Sequence, residues 1–246
     1  ILLLLLSACG SQSDAEIKRV VERIENVSDK SDEQKYTDLY ATGLLWENKD
    51  IKTAEKYYLE AAKYKKSAYA DIGRMYYRKV NKKKGIEKYE EGWKNGDSES
   101  ANELGIIYNK YEKKPGEAEK WWELAGKEGN PSASFSLGLM YEKKGEFSKA
   151  FEWYRKSAEL GDKEAQYNLG LLYADRELVI QAEKWWELSA EQGFVAAQYN
   201  LGILYEEKLK NLEKAKYWYK KAAEQGDIGA KEKLMKVGNE CIKIVN

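Results

Sequence analysis

A glycine followed three residues later by an aromatic recurs along this chain with a nearly constant period, and that recurrence dictates the architecture. The pair appears at Gly43 and Trp46, Gly73 and Tyr76, Gly105 and Tyr108, Gly138 and Tyr141, Gly170 and Tyr173, and Gly202 and Tyr205. The glycines are spaced 30, 32, 33, 32 and 32 residues apart. Between them runs a second set, small residues interleaved with aromatics: Ala54, Tyr58, Ala62; Ala118, Trp122, Gly126; Ala150, Tyr154, Ala158; Ala182, Trp186, Ala190; Ala215, Tyr219, Ala223. The second repeat carries a weaker copy, Gly85, Tyr89 and Trp93. Both sets have helical periodicity, so each repeat reads as two helices, A and B, folded into a hairpin. No single hairpin buries its apolar face alone, so neighbours must stack.

The junctions carry stop and start signals. Gly96, Gly129, Gly161, Gly193 and Gly226 stand where helix B should end, suited to a left-handed cap. Asp97, Asp162 and Asp227 follow as N-caps, and Asn130-Pro131 supplies a cap with proline at the first helical position. Phe194 breaks that pattern in the fifth repeat. The glycines inside helix A each cost about 1 kcal/mol relative to alanine. A penalty repeated at one phase implies a repeated compensation, so helix B is expected to approach helix A closely there. The small residues of helix B would then form the opposing surface, with Trp122, Tyr154, Trp186 and Tyr219 filling the space between hairpins. Their neighbours Trp121, Trp153, Trp185 and Trp218 are expected to be half exposed on helix B.

Composition removes whole classes of chemistry. The chain of 246 residues has 42 basic and 42 acidic side chains, a formal net charge of zero, which argues against non-specific nucleic-acid binding. It has no histidine, so His general bases, His-activated nucleophiles and His metal ligands are excluded. Cys9 and Cys241, the only cysteines, are too few for a disulfide framework or a thiolate zinc site. No Ser-x-x-Lys on a plausible catalytic scaffold, phosphate-cradling glycine loop or metal cluster is visible. The expectation is therefore no catalytic residues, no metal and no cofactor. Lysine and glutamate runs such as Lys82-Lys83-Lys84 and Glu206-Glu207 read as solvated loops and faces.

At the start, the aliphatic run Ile1 to Leu6 leads into Leu6-Ser7-Ala8-Cys9. This resembles the lipobox of bacterial lipoproteins, and the resemblance implies cleavage before Cys9 and acylation of its thiol and new amino terminus. The polar stretch Ser11-Gln12-Ser13-Asp14 then reads as a surface tether. With neither an initiator Met nor a basic segment before it, the chain looks truncated here. Six apolar residues are far too few to span a bilayer. Several acyl chains, at about 0.8 kcal/mol per buried CH₂, anchor a protein durably. Ile17, Val20, Val21 and Ile24 share one face of a helix expected over Asp14–Asn26.

The stretches Ala223-Glu224-Gln225-Gly226-Asp227 and Ala197-Gln198-Tyr199-Asn200-Leu201-Gly202 resemble the Sel-1-like repeat, a relative of the tetratricopeptide repeat. The resemblance runs from about Tyr36 to Ala230. It departs from the family pattern at Lys65, in the degenerate second repeat and in the mostly short AB loops. It implies an all-α fold, a right-handed superhelical solenoid of antiparallel helix pairs whose A helices line the concave side. The expected organisation is a signal-peptide remnant at 1–8, a lipidated tether and N-terminal helix at 9–35, six repeats at 36–229 and a capping helix at 230–246. Cysteine-rich members of the family are linked to β-lactam binding and hydrolysis, but they pair cysteines in each repeat and this array has none.

The inner stripe of the A helices is the best candidate site. The position three before each glycine holds Tyr40, Ala70, Asn102, Phe135, Tyr167 and Tyr199; the position after it holds Leu44, Arg74, Ile106, Leu139, Leu171 and Ile203. Four after it stand Glu47, Tyr77, Asn109, Glu142, Ala174 and Glu206. Such a mixture suits an extended peptide or a helix, with Arg74, Tyr77, Asn102, Phe135, Tyr167 and Tyr199 as the contacts expected to matter. Glu142 and Glu206 would favour basic segments, Arg74 and Arg78 an acidic one. The plainer alternative is that these rings only seal repeat interfaces. The resulting expectation is a bacterial, lipid-anchored envelope adaptor for a protein or peptide partner, on the periplasmic or outer-membrane side. An enzyme related to the β-lactam-binding branch and a purely structural envelope protein stand as alternatives.

Overall fold

In the computed structural model residues 30–245 are described, with side chains described as far as Val237. The signal remnant, Cys9, the tether and the helix expected over Asp14–Asn26 lie outside the described residues, as does the Cys241 side chain. Thirteen α-helices, and no strand, make up the described part. It divides into two compact units, one ending at Glu128 and the next beginning at Gly129.

The first unit holds three hairpins: α1 (Asp32–Trp46) with α2 (Ile51–Ala61), α3 (Ala68–Lys79) with α4 (Lys82–Lys94), and α5 (Ser98–Lys110) with α6 (Pro115–Lys127). In it α2 packs on α3 and α4 on α5, so each hairpin covers its neighbour. The second unit repeats the scheme: α7 (Pro131–Lys143) with α8 (Phe147–Glu159), α9 (Lys163–Ala174) with α10 (Val179–Glu191), and α11 (Val195–Glu207) with α12 (Leu212–Glu224). The final helix, α13 (Ile228–Val245), covers α12 and buries Val237.

Local chemistry explains where the helices stop. All five junction glycines have positive φ, between 81° and 98°, a region side chains rarely enter. At Gly161 the amide of Asp162 donates to the Ser157 carbonyl at 3.2 Å, closing a Schellman turn. The Asp162 carboxylate then accepts from the Ala165 amide at 2.8 Å and starts α9. Asp97, Asn130 and Asp227 do the same for α5, α7 and α13. Phe194 caps nothing, and its ring instead packs 5.2 Å from Tyr167.

The helix A glycines meet helix B as expected, but the matching surface differs. The large aromatic ring of helix B lies on the glycine of its own hairpin instead of filling the space between hairpins. A Cβ on Gly105 would stand 2.4 Å from the Trp122 ring; on Gly138, 2.4 Å from Tyr154; on Gly170, 2.3 Å from Trp186; on Gly202, 2.4 Å from Tyr219. Gly43 and Gly73 receive Tyr58 and Tyr89 in the same way. A flat ring needs a backbone without a side chain to lie against, which is why the glycine recurs. The alanines flanking the ring in sequence, such as Ala118, Ala182 and Ala215, are fully buried. Of the adjacent tryptophans, Trp121, Trp153 and Trp185 are half-buried, whereas Trp218 is buried.

A polar clamp that periodicity did not reveal joins hairpins in the second unit. The buried Gln166 amide donates to the Ala158 carbonyl at 3.1 Å and its oxygen accepts from Gln192 at 2.8 Å. Gln198 repeats both bonds, with the Ala190 carbonyl at 3.0 Å and Gln225 at 2.8 Å. Each clamp adds a second donor to a helix-end carbonyl that already accepts from the junction glycine amide, Gly161 to Ala158 at 3.0 Å and Gly193 to Ala190 at 2.9 Å.

Candidate partner-binding faces

In the second unit Phe135, Tyr167 and Tyr199 stand on α7, α9 and α11 at one phase, and all three are half-buried. Each ring is backed by another: Phe135 by Tyr154 at 5.8 Å, Tyr167 by Phe194 at 5.2 Å, Tyr199 by Tyr219 at 6.0 Å. The Tyr167 hydroxyl accepts from Asn200 at 3.4 Å, and the Tyr199 ring comes within 3.3 Å of where a Cβ on Gly229 would be. The rings thus contribute to packing on one side and keep surface on the other. Beside them Leu139 is 44% exposed, while Leu171 and Ile203 are half-buried.

The acids of this face are partly committed. Glu142 accepts from the Tyr154 hydroxyl at 2.6 Å yet remains exposed, so its charge still faces solvent. Glu206 accepts from Tyr219 at 2.5 Å and from Lys233 at 2.9 Å, which neutralises it. Burial opposes its ionisation, but those two hydrogen bonds outweigh burial and hold its carboxyl below the ordinary range.

In the first unit the expected residues separate. Arg74 is held between Asp71 and Glu103, the latter at 2.9 Å, so its charge is already matched. Asp71 is buried enough that its carboxyl is pushed up to about 6, because one guanidinium shared between two acids does not offset burial. Asn102 is only 3% exposed and donates to Glu99 at 3.3 Å, so it presents little surface to a partner. Tyr77 is half-buried, with its ring centroid 6.4 Å from that of Tyr111 and a hydroxyl that has no hydrogen-bond partner among the described residues. Arg74 and Tyr77 line one cleft, of about 320 Å³, together with Arg78, Lys82 and Tyr111, which the stripe positions left out. Of these, Arg78 carries the expectation of favouring an acidic segment, whereas Lys82 stands at the start of α4 and Tyr111 just past the end of α5, where no stripe position falls.

Among the described residues no group of three or more His, Cys, Asp or Glu side chains is placed to hold a metal ion. No described helix is long and apolar enough to cross a membrane. The Sel1 repeat model matches residues 38–63, 98–130, 131–162, 163–194 and 195–227, well over half of the chain. The chain belongs to the Sel1 repeat family. The stretch between the first and second matches is the degenerate repeat, and it folds into the α3–α4 hairpin nonetheless.

Solved structures agree on the fold of this Sel1 array. A protective antigen of uropathogenic Escherichia coli strains, with an SLR fold, is 23% identical over 89% of this chain with a TM-score of 0.64. The chain covers 55% of that structure, about half its length. A Sel1 repeat protein from Oxalobacter formigenes is also 23% identical, with 77% of this chain and 88% of that one covered and a TM-score of 0.61. PilF of Pseudomonas aeruginosa is 15% identical, with 86% and 100% covered and a TM-score of 0.53. No curated protein matches the chain.

Proposed function

We propose that this Sel1 repeat protein is a lipid-anchored interaction adaptor of the bacterial cell envelope, without catalytic activity of its own. Helix-hairpin repeats of this type commonly serve protein–protein interaction. The observation that carries the reading is the row Phe135, Tyr167 and Tyr199: three rings at one phase of successive A helices, backed by other rings and still partly open. Backed rings lose little entropy on binding and offer large contact area, the usual character of interface anchors. Leu139 adds apolar surface beside them, and the exposed Glu142 favours a basic residue in the partner. Anchoring rests on the lipobox-like Leu6-Ser7-Ala8-Cys9.

The test is crosslinked affinity capture from membranes with the full chain as bait. Tyr167→Ala with Tyr199→Ala should weaken capture of the partner by tenfold or more, at roughly 2 kcal/mol per anchor. Because these rings also pack, Leu139→Glu is the second variant: it should reduce capture while leaving the melting temperature unchanged. Undiminished capture by the folded fraction of both variants would show that the rings only seal repeats. In the same preparation Cys9→Ser should leave the membrane fraction, whereas unmodified Cys9 in membrane-bound wild type would overturn the lipid anchor.

A further inference from the structure

The cleft in the first unit has a charge character of its own. The segment Arg78–Lys84, which joins α3 to α4, contains five basic residues and no acid, in a chain whose charges balance overall. Lys79 is tied to Glu47 and Asn48. Arg78 and Lys82 have no ion-pair partner among the described residues, both are exposed, and both line the cleft. Its remaining wall is apolar and aromatic: Tyr77, Tyr89, Tyr111 and Ile106, with Tyr111 52% exposed. The one acid in the lining, Glu103, is ion-paired with Arg74, which it shares with Asp71; Glu112, next to Tyr111, lies 4.0 Å from Lys114. Two unmatched cations therefore flank a cavity of about 320 Å³, which takes one large or two small side chains.

The geometry points to an acidic peptide segment of a partner protein as the occupant of this cleft, with an aliphatic or aromatic side chain seated among Tyr77, Ile106 and Tyr111 and carboxylates on Arg78 and Lys82. This deepens the adaptor reading by naming the chemistry of one partner segment, at a site separate from the Tyr167–Tyr199 face. A peptide is favoured over an anionic bilayer because the cations surround a concave apolar floor, which a side chain fills and a layer of headgroups does not. Charge complementarity of this kind speeds association and selects the partner, and it weakens as salt screens it.

The probe is a fluorescent, end-blocked peptide of sequence Asp-Glu-Leu-Glu-Asp, titrated with the full chain. Saturable binding is expected that weakens as salt is raised from about 50 to about 300 mM. Arg78→Ser with Lys82→Ser should weaken it by about tenfold or more, Tyr111→Ala less so, and replacing the peptide leucine by glycine should also weaken it. The Tyr167→Ala, Tyr199→Ala variant should bind the peptide as wild type does, so this site and the aromatic face can fail independently. Binding that is absent, indifferent to Arg78 and Lys82, or equal for the glycine peptide would overturn the assignment. So would anionic phosphatidylglycerol vesicles that displace the peptide and bind through the same two cations, since that result would assign the patch to a membrane surface.

Discussion

A methyl group on Gly170 would stand 2.3 Å from Cδ1 of Trp186, closer than carbon atoms approach without displacement. The atom it meets belongs to a ring that is 5% exposed and donates its Nε1 proton to the Tyr167 carbonyl at 3.1 Å, so the ring has little freedom to retreat. Alanine is the better helix former by about 1 kcal/mol, but overpacking of a tight contact costs about 1–3 kcal/mol. Packing should win, and Gly170→Ala should lower stability. Gly116 is the internal control: it is also helical, and an added Cβ there meets nothing within 4 Å. Gly116→Ala should therefore be neutral or stabilising by up to about 1 kcal/mol. Urea denaturation of the two variants checks this, and a destabilised Gly116→Ala beside an unchanged Gly170→Ala would reverse the argument.

Within a hairpin, the helix B ring and the residue four after the helix A glycine go together. Where the ring is tyrosine, as in Tyr58, Tyr154 and Tyr219, that residue is Glu47, Glu142 or Glu206, accepting the phenol proton at 2.5–2.6 Å. Where it is tryptophan, as in Trp122 and Trp186, the residue is Asn109 or Ala174. A phenol carries its polar atom at the far end of the ring, within reach of the next turn of helix A; an indole carries its N–H on the side. The degenerate second hairpin departs from both patterns, with Tyr77 at the position that holds glutamate beside the other tyrosine rings. A double-mutant cycle tests the pairing. Tyr154→Phe and Glu142→Ala should each cost about 1 kcal/mol, and the pair together hardly more than either alone, a coupling of about 1 kcal/mol. Strict additivity in denaturation would mean the bond contributes nothing.

At the scale of the molecule, one acid in each unit, Asp71 in the first and Glu206 in the second, should contribute to acid stability with opposite sign. In the first, Asp71 has its folded pKa raised to about 6, so between about 4 and 6 the folded state binds more protons than the unfolded one. Stability from this group therefore rises as pH falls through 6. In the second unit Glu206 is held below its ordinary value, so its contribution is present above about 4.5 and is lost as pH falls through the folded pKa. Relative to Asp71→Asn, whose side chain does not titrate, wild type should gain about 1–2 kcal/mol between pH 7 and pH 4. Relative to Glu206→Gln, wild type should lose its advantage as pH falls below the ordinary carboxylate range. Denaturation midpoints across that range check both, and parallel profiles for wild type and Asp71→Asn would remove the first effect.

The repeat, its two-helix hairpins, the positive-φ glycines and the aspartate caps were legible from the sequence because each depends on a local rule: helical periodicity, the absence of a Cβ, an oxygen placed to accept a free amide. The aromatic row on α7, α9 and α11 was legible for the same reason, since fixed phase on regular helices places residues without reference to anything distant. Which surface each ring would lie against was not, because glycine and ring are 15 to 17 residues apart and only the folded hairpin brings them together. Nor was it visible that Arg74 would be matched by Glu103 of the next hairpin, leaving Arg78 and Lys82 as the unmatched cations. Asn102 shares the phase of Tyr167 but is buried, because exposure depends on what packs nearby and not on phase alone. Local pattern determined the elements and their register; tertiary contact decided which charges and rings remained open for a partner.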